Sequence, residues 1–286
     1  MDLIRDAGEL RSRTDAARAG GGDVGLVPTM GALHEGHLSL IRRAREECAT
    51  VVVSIFVNAL QFADPADLER YPRNEERDLV LCDVEGVDVV WAPPVEQVYP
   101  PGVELAHPDP GPVGRSFEGA SRSGHFEGVL TLVHRLFGVT GPCNAYFGEK
   151  DAQQLFLIRR MVAAESLPVA VVGCPTVRAP DGLALSSRNA RLTPDEREQA
   201  ACLFLALTEA AALSRRGERD PNVLVAAMAR EVGATPLVRL DYAAVVNDRT
   251  FELVDRLDPA VPARALVAAE LGSARLSDNL SLPRTA

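Results

Sequence analysis

The repeated order of a short apolar run, an amphipathic stretch and a second apolar run in the first half of the chain restricts its fold more than any other feature. Gly25–Met30 reads as a short strand, Gly36–Cys48 as a helix with Leu38, Ile41 and Ala44 facing inward, and Thr50–Val57 as a buried strand rich in β-branched residues. Asn74 is placed to cap a helix running to about Glu85, and Val87–Trp91 follows as a strand. Phe126, Val129, Leu130, Val133 and Phe137 share one helical face, after which Ala145–Phe147, Ala152–Ala164 and Val169–Val172 repeat strand, helix and strand. Near-continuous apolar strands separated by amphipathic helices predict an α/β domain with a parallel sheet covered on both faces.

In such sheets ligands bind beyond the carboxyl ends of the strands, which directs attention to the loops after Met30, Val57, Phe147 and Val172. The stretch Pro93–Gly128, rich in Pro and Gly, is too long for an idle connection and is expected to be a flap or an interface. Beyond Val172 the pattern changes. Thr193-Pro194-Asp195-Glu196 supplies an N-cap, a proline at the first helical position and a capping-box glutamate for a helix to about Arg216, and Asp220-Pro221 opens another. Leu237–Val246, Arg264–Ala269 and Arg275–Asn279 then read as strands of a smaller α+β domain, so the expected division is 1–176 and 177–286.

Forty acidic against 30 basic residues give a formal charge of −10, which argues against duplex nucleic acid or an anionic membrane as the main partner. The first residues carry no basic stretch followed by an apolar one, and the longest apolar runs are strand-sized. The five cysteines are an odd number with wide spacing, which fits reduced thiols in the cytoplasm rather than a disulfide framework or a Cys-x-x-Cys metal site.

Four constellations carry chemistry. Pro28-Thr29-Met30-Gly31-Ala32-Leu33-His34-Glu35-Gly36-His37 runs from a strand end into a helix start, where free N–H groups, the helix dipole and two imidazoles three residues apart suit phosphate. A bare His-x-Gly-His reads more readily as an ordinary turn with two solvated histidines, and a metal site is disfavoured by the absence of further ligand spacing. Gly148-Glu149-Lys150-Asp151, followed by Gln153 and Gln154, offers a lysine to neutralise a triphosphate and a carboxylate for Mg²⁺; only one of the two glutamines can reach ligand while the other turns inward. Leu185-Ser186-Ser187-Arg188 combines hydroxyls with a planar guanidinium fork, and Asn58 with Gln61 places two amides after a buried strand, suited to hydroxyl and carboxylate oxygens. Exposed charged turns and loop capping by Asn58 remain open readings of the same residues.

Taken together and in this order, these segments resemble the pantothenate synthetases. The resemblance also covers Tyr71-Pro72-Arg73, Arg115-Ser116-Phe117-Glu118-Gly119, Gly124-His125-Phe126 and Arg275-Leu276-Ser277-Asp278-Asn279, and so spans nearly the whole chain. It implies a Rossmann-like nucleotidyl-transferase domain with a smaller C-terminal α+β domain closing over it. It also implies an ATP-dependent ligase that joins pantoate to β-alanine through a pantoyl adenylate, requires Mg²⁺ and acts as a cytoplasmic homodimer. Nearby readings are another small-molecule nucleotidyl-transferase of this fold, or a non-catalytic ATP-binding protein.

By the same resemblance, Met30, Gly31, Ala32, Leu33, His34, Glu35, Gly36, His37, Gly148, Glu149, Lys150, Asp151, Val177, Leu185, Ser186, Ser187 and Arg188 hold ATP. Gln61, Gln154 and Asn58 hold pantoate, and Gln61 also serves β-alanine. Asp151 is the candidate Mg²⁺ ligand; His34, His37, Lys150, Ser186, Ser187 and Arg188 are the catalytic set. The family pattern names His37 a proton donor. A pantoate carboxylate is already ionised at neutral pH and needs no base, so the two histidines are expected chiefly to offset phosphate charge. Ala59 stands where the family commonly has proline, which is expected to loosen the loop carrying Gln61.

Overall fold

The computed structural model describes residues 1–283, so 284–286, the end of the second expected domain, lie outside the described residues. The chain divides into two compact units: Met1–Glu149 with Gln153–Pro175, and Lys150–Ala152 with the chain from Thr176 onward. The three-residue piece Lys150–Ala152, expected within the first domain, groups with the second unit.

The first unit contains β1 (Asp2–Ile4), α1 (Ala7–Ala19), β2 (Val24–Thr29), α2 (Glu35–Glu47), β3 (Thr50–Ile55), α3 (Pro65–Glu69), α4 (Glu75–Val84), β4 (Val89–Trp91), α5 (Val95–Val98), α6 (Glu118–Ser121), α7 (His125–Thr140), β5 (Cys143–Gly148), nearly all of α8 (Ala152–Ala164), and β6 (Val169–Cys174). Its six strands form one sheet in the order β1-β4-β3-β2-β5-β6, with every pairing parallel. The expected parallel α/β sheet is thus present. β1 and α1 were not foreseen: a three-residue edge strand and a helix with only Leu10 and Thr14 buried leave almost no periodic signal.

Alternation along each strand divides the core between two faces. Val24, Leu26, Val52, Val89, Trp91, Ala145 and Phe147 pack on one side with α7 and α8, while Val27, Val51, Val53, Val90 and Tyr146 pack on the other with Leu38, Ile41 and Ala44 of α2. α7 is buried on nearly every side, including Phe126, Gly128, Val129, Leu130, Thr131, Leu132 and Val133, a wider burial than the single face expected for it.

The chain leaves β2 towards β3 and β4 on one side, and β5 and β6 add on the other. The connections therefore diverge beside β2, and the loops leaving β2 and β5 flank the crevice where α/β sheets bind ligands. Pro93–Gly128 is a packed segment rather than a loose flap in its second half: Gln153 Nε2 donates to Val113 O at 2.7 Å and Ser116 O at 2.9 Å, and its Oε1 accepts from Glu118 N at 3.2 Å.

The second unit has α9 (Pro194–Gln199), α10 (Cys202–Arg215), α11 (Pro221–Gly233), β7 (Val238–Asn247), β8 (Ala263–Leu271) and β9 (Ala274–Ser281), the strands forming an antiparallel sheet in sequence order. It is the expected smaller α+β assembly. Thr193 and Glu196 form the capping box, but the helix expected to run to Arg216 breaks at Ala200–Ala201 into α9 and α10. The joint is a tighter turn, with Leu203 N bonding Ala200 O and Phe204 N bonding Ala201 O, and two alanines give no sequence sign of it.

Gly128 fixes how α7 meets the loop after β3, because a Cβ there would lie 2.2 Å from Leu60 O. Gly128→Ala is expected to destabilise the protein by about 1–3 kcal/mol in chemical denaturation, since the obstacle is backbone and cannot swing away. An unchanged denaturation midpoint would contradict that close approach.

Candidate active site

The loop from Met30 to His34 turns through two consecutive left-handed residues, Gly31 (φ 77°) and Ala32 (φ 51°). This aims two adjacent N–H groups at one acceptor, the Asp78 carboxyl group in the first turn of α4. Asp78 Oδ2 accepts from Ala32 N at 2.7 Å and Oδ1 from Leu33 N at 2.8 Å, and Asp78 is 1 % exposed. Arg77 Nη1 donates to Leu33 O at 3.0 Å, so neighbouring residues of α4 hold both polar groups of one peptide region. Neither Arg77 nor Asp78 was singled out from sequence.

The N–H groups of Ala32 and Leu33 point to Asp78, and the Leu33 side chain is buried in the core, so these amides shape the loop. The exposed Glu35 carboxylate is ion-paired with Arg42. Its own N–H is the first-turn amide without a backbone or side-chain acceptor among the described residues.

His34 caps α2. Its Nδ1 accepts from Gly36 N at 3.1 Å, and His37 Nδ1 accepts in return from His34 N at 3.4 Å, a capping box built from two imidazoles whose ring centroids lie 4.1 Å apart. An Nδ1 that accepts from a backbone N–H carries no proton, so each neutral ring bears its hydrogen on Nε2. The helix start thus fixes the tautomer and makes both histidines Nε2–H donors.

The loop after β3 supplies the amides. Asn58 is fully buried; its Oδ1 accepts from Leu60 N at 3.2 Å and Tyr99 Oη at 2.8 Å, and its Nδ2 donates to Gln61 Oε1 at 3.1 Å and Gly128 O at 3.0 Å. Burial pushes the Tyr99 hydroxyl above its ordinary pKa, which keeps it a donor. Asn58's donors and acceptors are thus met within the protein, and its side chain orients Gln61. Gln61 Nε2 in turn reaches Met30 Sδ at 2.9 Å, joining the loops that leave β2 and β3. The Gln61 carbonyl accepts from His125 Nδ1 at 2.8 Å and Arg122 Nη2 at 3.3 Å, which gives the Gly124-His125-Phe126 segment its local task. Those anchors hold the loop that Ala59 was expected to loosen.

Beyond β5, Gly148 and Glu149 are half-buried and Gln154 is half-buried one residue past Gln153; Gln153, 5 % exposed, is the glutamine that turns inward. In the second unit Lys150 Nζ pairs with Asp151 Oδ1 at 3.2 Å. Val177 and Leu185 face each other in a tight hairpin closed by Leu185 N to Val177 O at 3.0 Å, and Ser186 Oγ accepts from Arg188 N at 3.3 Å to start a short 3-10 helix, Ser187–Arg191. Arg197 holds the Asp181 carboxyl below the usual range and secures the hairpin's outer end. Among the described residues no group of three or more His, Cys, Asp or Glu side chains could hold a metal ion. The single, half-exposed Asp151 carboxylate fits Mg²⁺ held mostly by phosphate and water, not a protein cage.

A parallel sheet with diverging connections beside β2, and backbone-fixed imidazole donors at that point, defines a nucleotide-handling α/β enzyme. The chain matches the model of the pantoate–β-alanine ligase family over residues 2–281. It is 50 % identical to the pantothenate synthetase of Rubrobacter xylanophilus (98 % of each chain) and 50 % identical to that of Roseiflexus castenholzii (99 % of each). The crystal structure of pantothenate synthetase from Thermus thermophilus superposes with a TM-score of 0.91 at 44 % identity, covering 99 % of this chain and 100 % of that one. The ligase of Francisella tularensis, complexed with β,γ ATP and β-alanine, superposes with a TM-score of 0.79 at 33 % identity, covering 100 % and 99 %. The chain belongs to the pantoate–β-alanine ligase family and is an enzyme that forms a C–N bond.

Two variants test the loops. Asp78→Asn keeps the shape but turns an NH₂ towards one of the two backbone donors. It is expected to cost about 1–3 kcal/mol of stability and to lower ligase activity at temperatures where the fold persists; full activity in steady-state assays would show that Asp78 does not set the loop. Ala59 donates no backbone hydrogen bond among the described residues, and Asn58 is already extended (φ −83°, ψ 103°). Ala59→Pro is therefore expected to raise stability by about 0.4–1 kcal/mol in thermal melts, and a lower melting temperature would refute that fit.

Proposed function

We propose that this ligase condenses pantoate with β-alanine in two steps on one site. In the first, a pantoate carboxylate oxygen attacks the α-phosphorus of ATP, the new P–O bond forms as the bond to pyrophosphate breaks, and no proton is transferred. In the second, the neutral amine of β-alanine attacks the acyl carbon of the pantoyl adenylate, AMP departs with the electron pair, and the nitrogen gives up a proton. The observation that carries this reading is the double imidazole cap, in which both rings accept through Nδ1 and keep their hydrogen on Nε2.

Phosphate charge builds on the non-bridging oxygens and the departing pyrophosphate as the first step proceeds. His34 and His37 stabilise it as neutral donors, and Lys150, Ser186, Ser187 and Arg188 contribute a cation, short hydroxyl bonds and a guanidinium fork. Met30, Gly31, Gly36, Gly148, Glu149, Val177 and Leu185 line the nucleotide with backbone and apolar contacts. Gln61 and Gln154 hold pantoate, Gln61 from a side chain whose oxygen is already fixed by Asn58. Mg²⁺ enters with the triphosphate, with Asp151 as its protein contact. The second unit acts as a lid, since an acyl adenylate must be kept from water. A cytoplasmic homodimer completes the reading, supported for the compartment by five free, buried cysteines, two of them, Cys82 and Cys143, pushed by burial to a pKa of about 12.

Pyrophosphate release is expected to require both ATP and pantoate but not β-alanine, whereas AMP release in multiple turnovers requires all three. A pyrophosphate signal independent of pantoate would sink the ligase mechanism in favour of another nucleotidyl transfer. His37→Ala and Lys150→Ala are each expected to slow adenylate formation by roughly 10²- to 10³-fold, about 3–4 kcal/mol of barrier for one charge-stabilising donor. Wild-type turnover in either variant would remove that residue from the mechanism.

A further inference from the structure

We infer that Asn279 is a positioning residue for Lys150, held in that task by Arg264 and Asp248. Lys150 is the middle residue of the one-turn 3-10 helix Glu149–Asp151, a piece of chain too short to hold itself by its own hydrogen bonds. Its carbonyl oxygen accepts from Asn279 Nδ2 at 2.7 Å. The Asn279 side chain cannot be turned over: Arg264 Nη1, which only donates, meets Asn279 Oδ1 at 2.5 Å, so the amide nitrogen must face the Lys150 carbonyl. Arg264 is itself gripped by Asp248, through Nε at 2.6 Å and Nη2 at 3.1 Å.

Asn279 is 5 % exposed and Arg264 9 %, on the sheet face opposite to the one that carries Ala265, Val267, Ala269 and Leu276. A buried ion pair with an amide stabilises a sheet no better than well-packed apolar residues would, so its use here fits a need for orientation rather than for stability. The neighbouring Asp278 serves in parallel: it takes Arg178 Nη1 at 2.5 Å and Nη2 at 3.0 Å, and Arg178 Nη1 also donates to Gly182 O at 3.0 Å in the hairpin that carries Leu185–Arg188. Two adjacent residues of β9 thus each anchor one proposed phosphate-binding segment of the second unit.

The inference rests on the proposed phosphate role of Lys150, and the experiment separates the two. Asn279→Asp preserves size and the Arg264 contact but removes the donor to Lys150 O. The full-length variant is to be assayed for pyrophosphate release in the wild-type and Lys150→Ala backgrounds. In the wild-type background kcat is expected to fall about tenfold with the KM for pantoate within about twofold; in the Lys150→Ala background no further fall beyond about twofold is expected, because the residue it positions is gone. Equal losses in both backgrounds, or wild-type kcat in the single variant, would overturn the positioning role while leaving Lys150 in place. Lys150→Ala at wild-type kcat would instead remove the phosphate assignment. Should Asn279→Asp not fold, Asp248→Asn, which leaves Asn279 intact and loosens Arg264, is expected to show a smaller loss with the same dependence on Lys150, and a loss independent of Lys150 overturns the inference.

Discussion

Two backbone N–H groups, those of Ala32 and Leu33, converge on the carboxyl group of Asp78, and the geometry of the nucleotide loop follows from that bond pair. The left-handed Gly31 and Ala32 are strained for any residue with a Cβ, and Ala32 has one. Buried amides without an acceptor would add to that strain, whereas a carboxyl group with two oxygens satisfies both at once. The turn so held delivers the chain to His34 in an extended conformation (φ −139°, ψ 174°), the backbone state a helix cap requires. Loop strain, helix start and imidazole orientation are therefore one connected problem with one solution, and it lies in a helix distant in sequence from the loop it serves.

The neighbouring loop repeats the logic with neutral groups. Asn58 uses both its donors and both its acceptor positions inside the protein, and the Gln61 carbonyl is held by His125 and Arg122, so the Gln61 side chain is presented from a frame fixed on several sides. Fixing a glutamine this way removes the rotamer freedom that binding would otherwise have to suppress. In both loops the residues closest to the chemistry are few, and the residues that hold them are more numerous.

That division explains what could be read from the sequence. The parallel sheet was legible because buried strands such as Thr50–Ile55 are continuous apolar runs, and the caps at Asn74, Thr193 and Asp220 were legible because capping is a local interaction. The candidate loops were legible from their place at strand ends. Asp78 was not, because a carboxylate four residues into a helix looks the same whether it faces water or two backbone amides 45 and 46 residues away. Asn58 reads two ways for the same reason: its residue type fits binding and capping equally, and its bonds to Leu60, Tyr99, Gln61 and Gly128 are made with residues that no local window joins. The break at Ala200–Ala201 runs against local propensity, and Ala200, Leu203, Ala206 and Leu207 around and after it all sit in the second core, a setting no window of sequence contains.

The imidazole cap also selects which chemistry the two histidines can perform. A proton added at Nδ1 of either ring would face a backbone N–H instead of accepting from it, so gaining a second proton means giving up one half of the capping box. In the proposed mechanism a neutral Nε2–H donor would bind ground-state ATP less strongly than a cation, and its bond would strengthen as charge gathers on the phosphate oxygens. In the proposed first step a carboxylate nucleophile brings no proton to be removed, so no general-base work is required of the two rings. On that proposal cationic charge is the part of lysine and arginine, so the helix cap and the division of roles among the donors follow from the same pair of hydrogen bonds.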